Sequence, residues 1–144
     1  MEKSDTKELL RECNAGIKMG VEAINGVLPS VHSENLRQTL KESKNVHCKL
    51  GSEAHRLLNV RGVSGKAPHP MARRMAKMKT NMKLSLSPTD RAVAELITDG
   101  CNMGVKSLSH YLNRHPGADP EAKAVAESLI REESALAEHM RGYL

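Results

Sequence analysis

The chain has 144 residues, a formal net charge of +5 and 39% hydrophobic residues, which is typical of one folded domain. It contains two tyrosines and no phenylalanine or tryptophan, so aliphatic side chains and methionine have to form the core, and nothing indicates a sheet. The charged N-terminus and the lack of a long apolar run argue against a signal peptide and a transmembrane segment. Three widely spaced cysteines predict reduced thiols in a cytoplasmic protein.

A helical hairpin is predicted over residues 5–62. Asp5, with Glu8 three residues later, predicts a capping box at the start of the first helix, which ends at Pro29. Ser33 and Glu34 predict the start of the second helix, which ends before Gly62. The second helix has an inward stripe at spacings of three and four residues, namely Leu36, Leu40, Ser43, His47, Leu50, Ala54 and Leu57.

A linker and a short methionine-rich helix are predicted over residues 63–86. Apolar residues step by three or four along this helix and fall within an arc of roughly 80°; they are Met71, Met75, Met78, Met82 and Leu86. We predict that this stripe packs against the rest of the protein as part of the core. The alternative is a soft-metal site made of thioethers.

The same segment is basic. Residues 54–89 contain eight lysines and arginines and no acid, whereas the rest has 14 positive and 17 negative residues. One hypothesis is a surface for nucleic acid, a membrane or another anionic partner, formed by Arg73, Arg74, Lys77, Lys79 and Lys83. The alternative is a solvated face that pairs with the acidic remainder of the chain.

A second hairpin is predicted over residues 87–144, within a single domain that spans residues 1–144. Ser87 as the cap, followed by Pro88 and Asp90, predicts the start of its first helix, and Pro120 the start of its second. The segment CNMGVKSLSHYLN at residues 101–113 matches CNAGIKMGVEAIN at residues 13–25 in its cysteine, first and last asparagines, glycine and lysine, which suggests an internal repeat. Gly16, Gly20 and Gly104 are expected where neighbouring helices approach closely.

Few residues carry candidate chemistry. His47, Glu132, Glu133 and His139 fall on or beside inward stripes and could together hold Fe, Zn or Mn, although no cofactor is the leading expectation. The alternative is a hydrogen-bonded core histidine with boundary residues near a helix end. No nucleophile elbow, P-loop or dinucleotide motif occurs.

Cys48 is the candidate reactive thiol, since it lies between His47 and Lys49 and is expected to be partly exposed. Cys13 and Cys101 lie on helix stripes, where a buried thiol behaves as a small hydrophobic group.

Four segments, ECNAGIKMG, MARRMAKMKTNM, ELITDGCNMGVKSLSHYLN and EESALAEHMRGYL, resemble small bacterial proteins of the ferritin-like superfamily. The resemblance implies an all-α four-helix bundle made of two helical hairpins, with an extra short methionine-rich helix in the crossover. The chain departs from the metal-active members because it contains no Glu-x-x-His sequence.

The leading functional expectation is a non-catalytic bundle that forms homo-oligomers or binds a protein partner, with the basic helix as the contact. The alternatives are a minimal metal-binding ferritin-like protein and a basic module that contacts nucleic acid.

Overall fold

The computed structural model describes the backbone of residues 2–63 and 70–144, and the side chains of residues 4–63, 76, 77 and 79–144. The described residues form helices and no strand, as the composition predicts. The helices are α1 (Glu2–Val27), α2 (Glu34–Asn59), α3 (Pro70–Leu86), α4 (Asp90–Arg114) and α5 (Pro120–Met140), with single 3₁₀ turns at Leu28–Ser30 and Arg141–Tyr143.

Four of the helices pack as a bundle. α1 packs against α2, α4 packs against α5, and the two pairs meet through α2 with α5 and α1 with α4. α1 also contacts α5 across the bundle, while α3 lies outside and contacts α1 and α4.

The predicted stripes build the core. On α2, all the predicted inward residues are buried except Leu50, which is half-buried. The apolar core forms two clusters at opposite ends of the bundle, one containing Ile17, Ala54 and Leu129, the other Leu40 and Leu136.

A polar layer separates these clusters. It contains one residue from each helix of the bundle, each lying in sequence between residues of the two clusters: Gly20 on α1, His47 on α2, Gly104 on α4 and Glu133 on α5. We call these four residues the central polar layer.

Two predicted helix starts need correction. α1 begins at Glu2, so Asp5 lies within its first turns; its carboxylate instead accepts hydrogen bonds from His115 Nδ1 at 3.2 Å and from the Gly117 amide at 2.9 Å. α4 is capped by Thr89, whose hydroxyl accepts from the Ala92 amide, and not by Ser87.

The start of α4 also forms hydrogen bonds with the first hairpin. The carboxylate of Asp90 accepts from the amides of His32 and Ser33 at 2.7 and 3.0 Å, just before α2. Ser33 caps α2 as predicted, and α5 begins at Pro120 as predicted.

The orientation predicted for the methionine-rich helix is wrong at the two positions whose side chains are described. Met82 is 63% exposed and Leu86 is 83% exposed, whereas Leu84 is 9% exposed and belongs to a core cluster. Residues 82 and 86 lie roughly 160° from residue 84 around a helix, so the side that carries Leu84 faces the bundle. The side chains of Met71, Met75 and Met78 lie outside the described residues.

None of the helices in the described part of the chain is long and apolar enough to cross a membrane.

Candidate functional site

The central polar layer contains a buried acid–base pair. His47 Nε2 lies 2.7 Å from Glu133 Oε1, and His47 Nδ1 lies 2.8 Å from the backbone carbonyl oxygen of Ser43. His47 is 1% exposed and Glu133 7% exposed. The hydrogen bond therefore links α2 to α5, across the two hairpins, with water almost excluded.

Two glycines leave room for these side chains. A Cβ atom on Gly20 would lie 2.8 Å from both Cδ2 and Nε2 of His47, closer than real contacts allow. A Cβ atom on Gly104 would lie 3.4 Å from Glu133 Oε2. Each hairpin thus contributes a glycine from its first helix and a polar side chain from its second. The neighbouring helix comes close at Gly20 through the His47 side chain, whereas Gly104 and Gly16 have ordinary van der Waals contacts, with Glu133 and Leu129 respectively.

The hydrogen bonds of the His47 ring determine how many protons the pair holds. The Ser43 carbonyl oxygen can only accept, so Nδ1 carries a proton and donates it. A hydrogen bond between Nε2 and a carboxylate oxygen needs a second proton, because both atoms otherwise present lone pairs. The pair is therefore one proton richer than a neutral imidazole beside an ionised carboxylate.

The electrostatics point the same way. Burial by itself lowers the pKa of His47, but the hydrogen bond to Glu133 and the charge of that carboxylate outweigh it, so that the pKa is raised above 6.5. The Ser43 carbonyl and the charge of Glu132 act in the same direction. We therefore assign the second proton to Nε2, as an imidazolium facing a carboxylate.

Two thiols behave as buried groups. Burial first, and then the charge and hydrogen bonding of Glu133, raise the pKa of the Cys101 thiol on α4. Burial, with a contribution from Glu12, raises the pKa of Cys13 to about 12. Both are free and buried as predicted, which makes them poor nucleophiles at neutral pH. Cys48 is free and exposed, and its reactivity stays a prediction.

One polar atom near the pair is unexplained. The hydroxyl of Ser43 is buried and has no hydrogen-bond partner among the described residues. An unpaired buried hydroxyl costs roughly 1–3 kcal/mol. We have no physical account of this position.

The structure brings together two of the four predicted metal ligands. His47 and Glu133 meet, Glu132 is half-buried, and His139 is exposed, so the expectation that His139 faces inward is wrong. Within residues 4–63 and the described side chains from 76 onward, no group of three or more His, Cys, Asp or Glu residues could hold a metal ion.

The basic face of α3 is partly neutralised within the chain. Lys83 forms an ion pair with Glu95, and Lys79 Nζ lies 3.6 Å from a carboxylate oxygen of Asp99, both acids being on α4. The hydrogen bond and the charge of Lys83 lower the pKa of Glu95. Lys77 is exposed, while Arg73 and Arg74 lie outside the described side chains. These pairs agree with the alternative in which basic residues contact the acidic remainder.

Two features of the site do not follow from the sequence pattern. The pattern does not distinguish Glu132 from Glu133, and it gives Gly20 no role beyond close packing. A glycine on the inward side of one helix can make room for a large polar side chain on the next helix, as Gly20 does for His47. Predicting this pair from the sequence would require the register of α1 against α2, which the sequence pattern does not give.

Fold and site together define an all-α helical bundle with a buried histidine–glutamate pair and a partly apolar outer helix. Comparisons with protein-family models, with curated proteins and with solved structures found no match to the chain. Its function therefore has to be argued from the described residues.

Proposed function

We propose that the protein is a non-catalytic helical bundle that self-associates through the outer face of α3. By the outer face of α3 we mean the surface formed by Met82 and Leu86. The observation that carries the proposal is the exposure of these two large apolar side chains, one helical turn apart. Neighbouring exposed apolar residues on a helix are typical of a surface that another helix covers.

The sequence supports an extended apolar face. Met71, Met75 and Met78 share the helical phase of Met82 and Leu86 at 100° per residue. Methionine side chains are unbranched and adapt to a partner surface, which makes them frequent at protein contacts.

A second copy of the chain is the partner that the charges favour. Lys79 and Lys83 lie along one edge of the outer face, and both already contact carboxylates of α4. This internal pairing reduces the repulsion between two basic helices that approach each other. An anionic partner would have to compete with Asp99 and Glu95 for the same lysines.

The dimer we expect is weak. α3 has 17 residues and is about 25 Å long. One helix from each chain forms a contact at the lower end of the sizes seen for specific interfaces, which is the range of transient association.

The proposal includes a ferritin-like arrangement in a cytoplasmic protein. The packing of α1 with α2 and of α4 with α5, with α3 between them in the chain, supports two hairpins joined by a crossover. The three free cysteines agree with a reducing compartment.

Analytical ultracentrifugation over a range of protein concentrations tests the proposal. Met82→Gln with Leu86→Gln replaces the apolar side chains with uncharged ones that suit a helix. Burial of one such side chain contributes about 1.5 kcal/mol, and a symmetric dimer buries each of the two twice. The four side chains together contribute about 6 kcal/mol, so the double variant should weaken association by roughly 10⁴-fold. Val60→Gln is the matched control, since Val60 is 70% exposed at the end of α2 and should leave association unchanged.

Two results would contradict self-association. One is a wild-type chain that stays monomeric up to roughly millimolar concentration, beyond which a dimer is negligible. The other is equal weakening by the Val60 variant. Binding of the monomer to duplex DNA at low salt, or to anionic vesicles, would instead favour the anionic-partner hypothesis.

A further inference from the structure

The central polar layer has a feature that self-association through α3 does not use. It holds an ionisable pair in the interior, between the two apolar clusters, and the two partners come from different hairpins. A hydrophobic pair of similar volume would fill the same space without desolvating polar groups. The pair is therefore a candidate for a specific role.

We propose that His47 and Glu133 form a binding site for a single proton, and that this proton fastens the first hairpin to the second. The site consists of His47 Nε2, which carries the proton, and Glu133 Oε1, which accepts its hydrogen bond at 2.7 Å. When the proton leaves, the two atoms present lone pairs to each other and the link between α2 and α5 becomes repulsive.

Every helix of the bundle contributes to the surroundings of the pair. α1 presents Gly20 against the ring, and α2 presents the Ser43 carbonyl oxygen, which holds Nδ1. α4 presents Gly104 and the thiol of Cys101, which interacts with Glu133. On α5 the charge of Glu132 adds to that of Glu133. Among the described residues, the charges that act on the ring are thus negative, and they favour the protonated form.

Rotation of the His47 ring cannot easily restore the hydrogen bond that is lost with the proton. Nδ1 is held by the carbonyl one turn away on its own helix, and the backbone of Gly20 closes the space beside Nε2 and Cδ2. A deprotonated ring would have to give up the Ser43 hydrogen bond in order to donate from Nε2. Loss of the proton therefore costs a hydrogen bond in either tautomer.

The direction of the pH effect follows from proton linkage. In the unfolded chain a histidine loses its proton near pH 6.5 and a glutamate near pH 4.3. Since the folded pair keeps its proton to higher pH, the folded state binds more protons than the unfolded state above pH 6.5, and its stability falls as pH rises. The contribution is fully present below the unfolded value and is lost as pH passes the raised folded value.

NMR titration of the ¹⁵N-labelled imidazole in the full chain is the direct test, with the urea-unfolded chain as the reference. We expect the His47 midpoint to lie above that of the unfolded chain, with both ring nitrogens protonated at pH 7. A midpoint equal to or below the unfolded one would overturn the proposal. Stoichiometric Fe, Zn or Mn in protein purified without chelator would also overturn it, because the metal would occupy the position of the proton.

Glu133→Gln separates the proton from the hydrogen bond. The amide of glutamine can donate to a neutral Nε2, so the contact between α2 and α5 remains without the extra proton. We expect the His47 midpoint to fall below the unfolded value in this variant, because burial then acts without the carboxylate. Glu132→Gln is the matched control, and its midpoint should stay raised. A raised midpoint in Glu133→Gln would contradict the proposal.

Urea denaturation between pH 6 and pH 9 tests the link between hairpins. The midpoint of the wild-type chain should fall with rising pH, while that of Glu133→Gln should lack this decrease. If the urea midpoints of the two proteins changed with pH in the same way, the proton would not fasten the hairpins.

Discussion

His47 Nε2 and Glu133 Oε1 lie 2.7 Å apart, although the two residues are 86 positions apart in the chain. Both are in the interior, between two apolar clusters, and glycines on α1 and α4 face them. The pair thus fixes the rotation of α2 relative to α5, since a turn of either helix would bury a polar group without a partner. This relationship leads to predictions about the pair itself and about the space around it.

The pair should show strong energetic coupling. His47→Leu and Glu133→Leu each leave one buried polar group unpaired, which is expected to cost about 1–3 kcal/mol in the free energy of unfolding. The double variant removes both groups and should cost less than the sum of the single changes. A double-mutant cycle measured by urea denaturation checks this, and additive single effects would show that the two residues are independent.

Gly20→Ala should destabilise the protein because its Cβ atom would press on the His47 ring at 2.8 Å. The expected loss is about 1–3 kcal/mol, as for other overpacked cores. Gly100→Ala on α4 is the matched control, since nothing lies within 4 Å of its added Cβ. That control should stabilise the helix by up to ~1 kcal/mol. Equal effects in thermal denaturation would show that the space at Gly20 is not needed.

Leu84 and Leu86 should respond differently to truncation, although they are two residues apart on α3. Leu84→Ala removes a buried contact with α1 and α4 and should cost about 2 kcal/mol, with faster amide hydrogen exchange within α3. Leu86→Ala changes an exposed side chain and should stay within about 0.5 kcal/mol of the wild type. The reverse order would mean that the methionine stripe, and not Leu84, faces the bundle.

Asp5 should contribute to acid sensitivity. The hydrogen bond from His115 and the amide of Gly117 hold the pKa of Asp5 below its usual value, despite partial desolvation. A lowered folded pKa contributes stability that is present above the unfolded value and is lost as pH falls through the folded one. Asp5→Asn should therefore lower the melting temperature at pH 5 more than at pH 2.5. Glu127→Gln, on the exposed side of α5, is the control and should show no such difference.

The sequence by itself determined the helices and most of the core. Proline and capping residues act locally, so Ser33 and Pro120 place two helix starts within the chain alone. The three- and four-residue spacing of α2 likewise identifies its inward side, including His47, because a helix repeats every 3.6 residues.

Only the tertiary structure decided which side of α3 packs against the bundle and which glutamate of α5 lies in the interior. Glu132 and Glu133 both border the inward stripe of α5, and the packing of α5 against α2 and α4 selects Glu133. α3 carries Leu84 on one side and Met82 and Leu86 on the other, and periodicity shows which residues share a face but not which face meets the bundle. Asp5 and Asp90 each accept hydrogen bonds from residues of the other hairpin, far away in sequence. The local sequence shows only that both lie near a helix start, so it predicts a role in starting the helix and cannot reveal these partners.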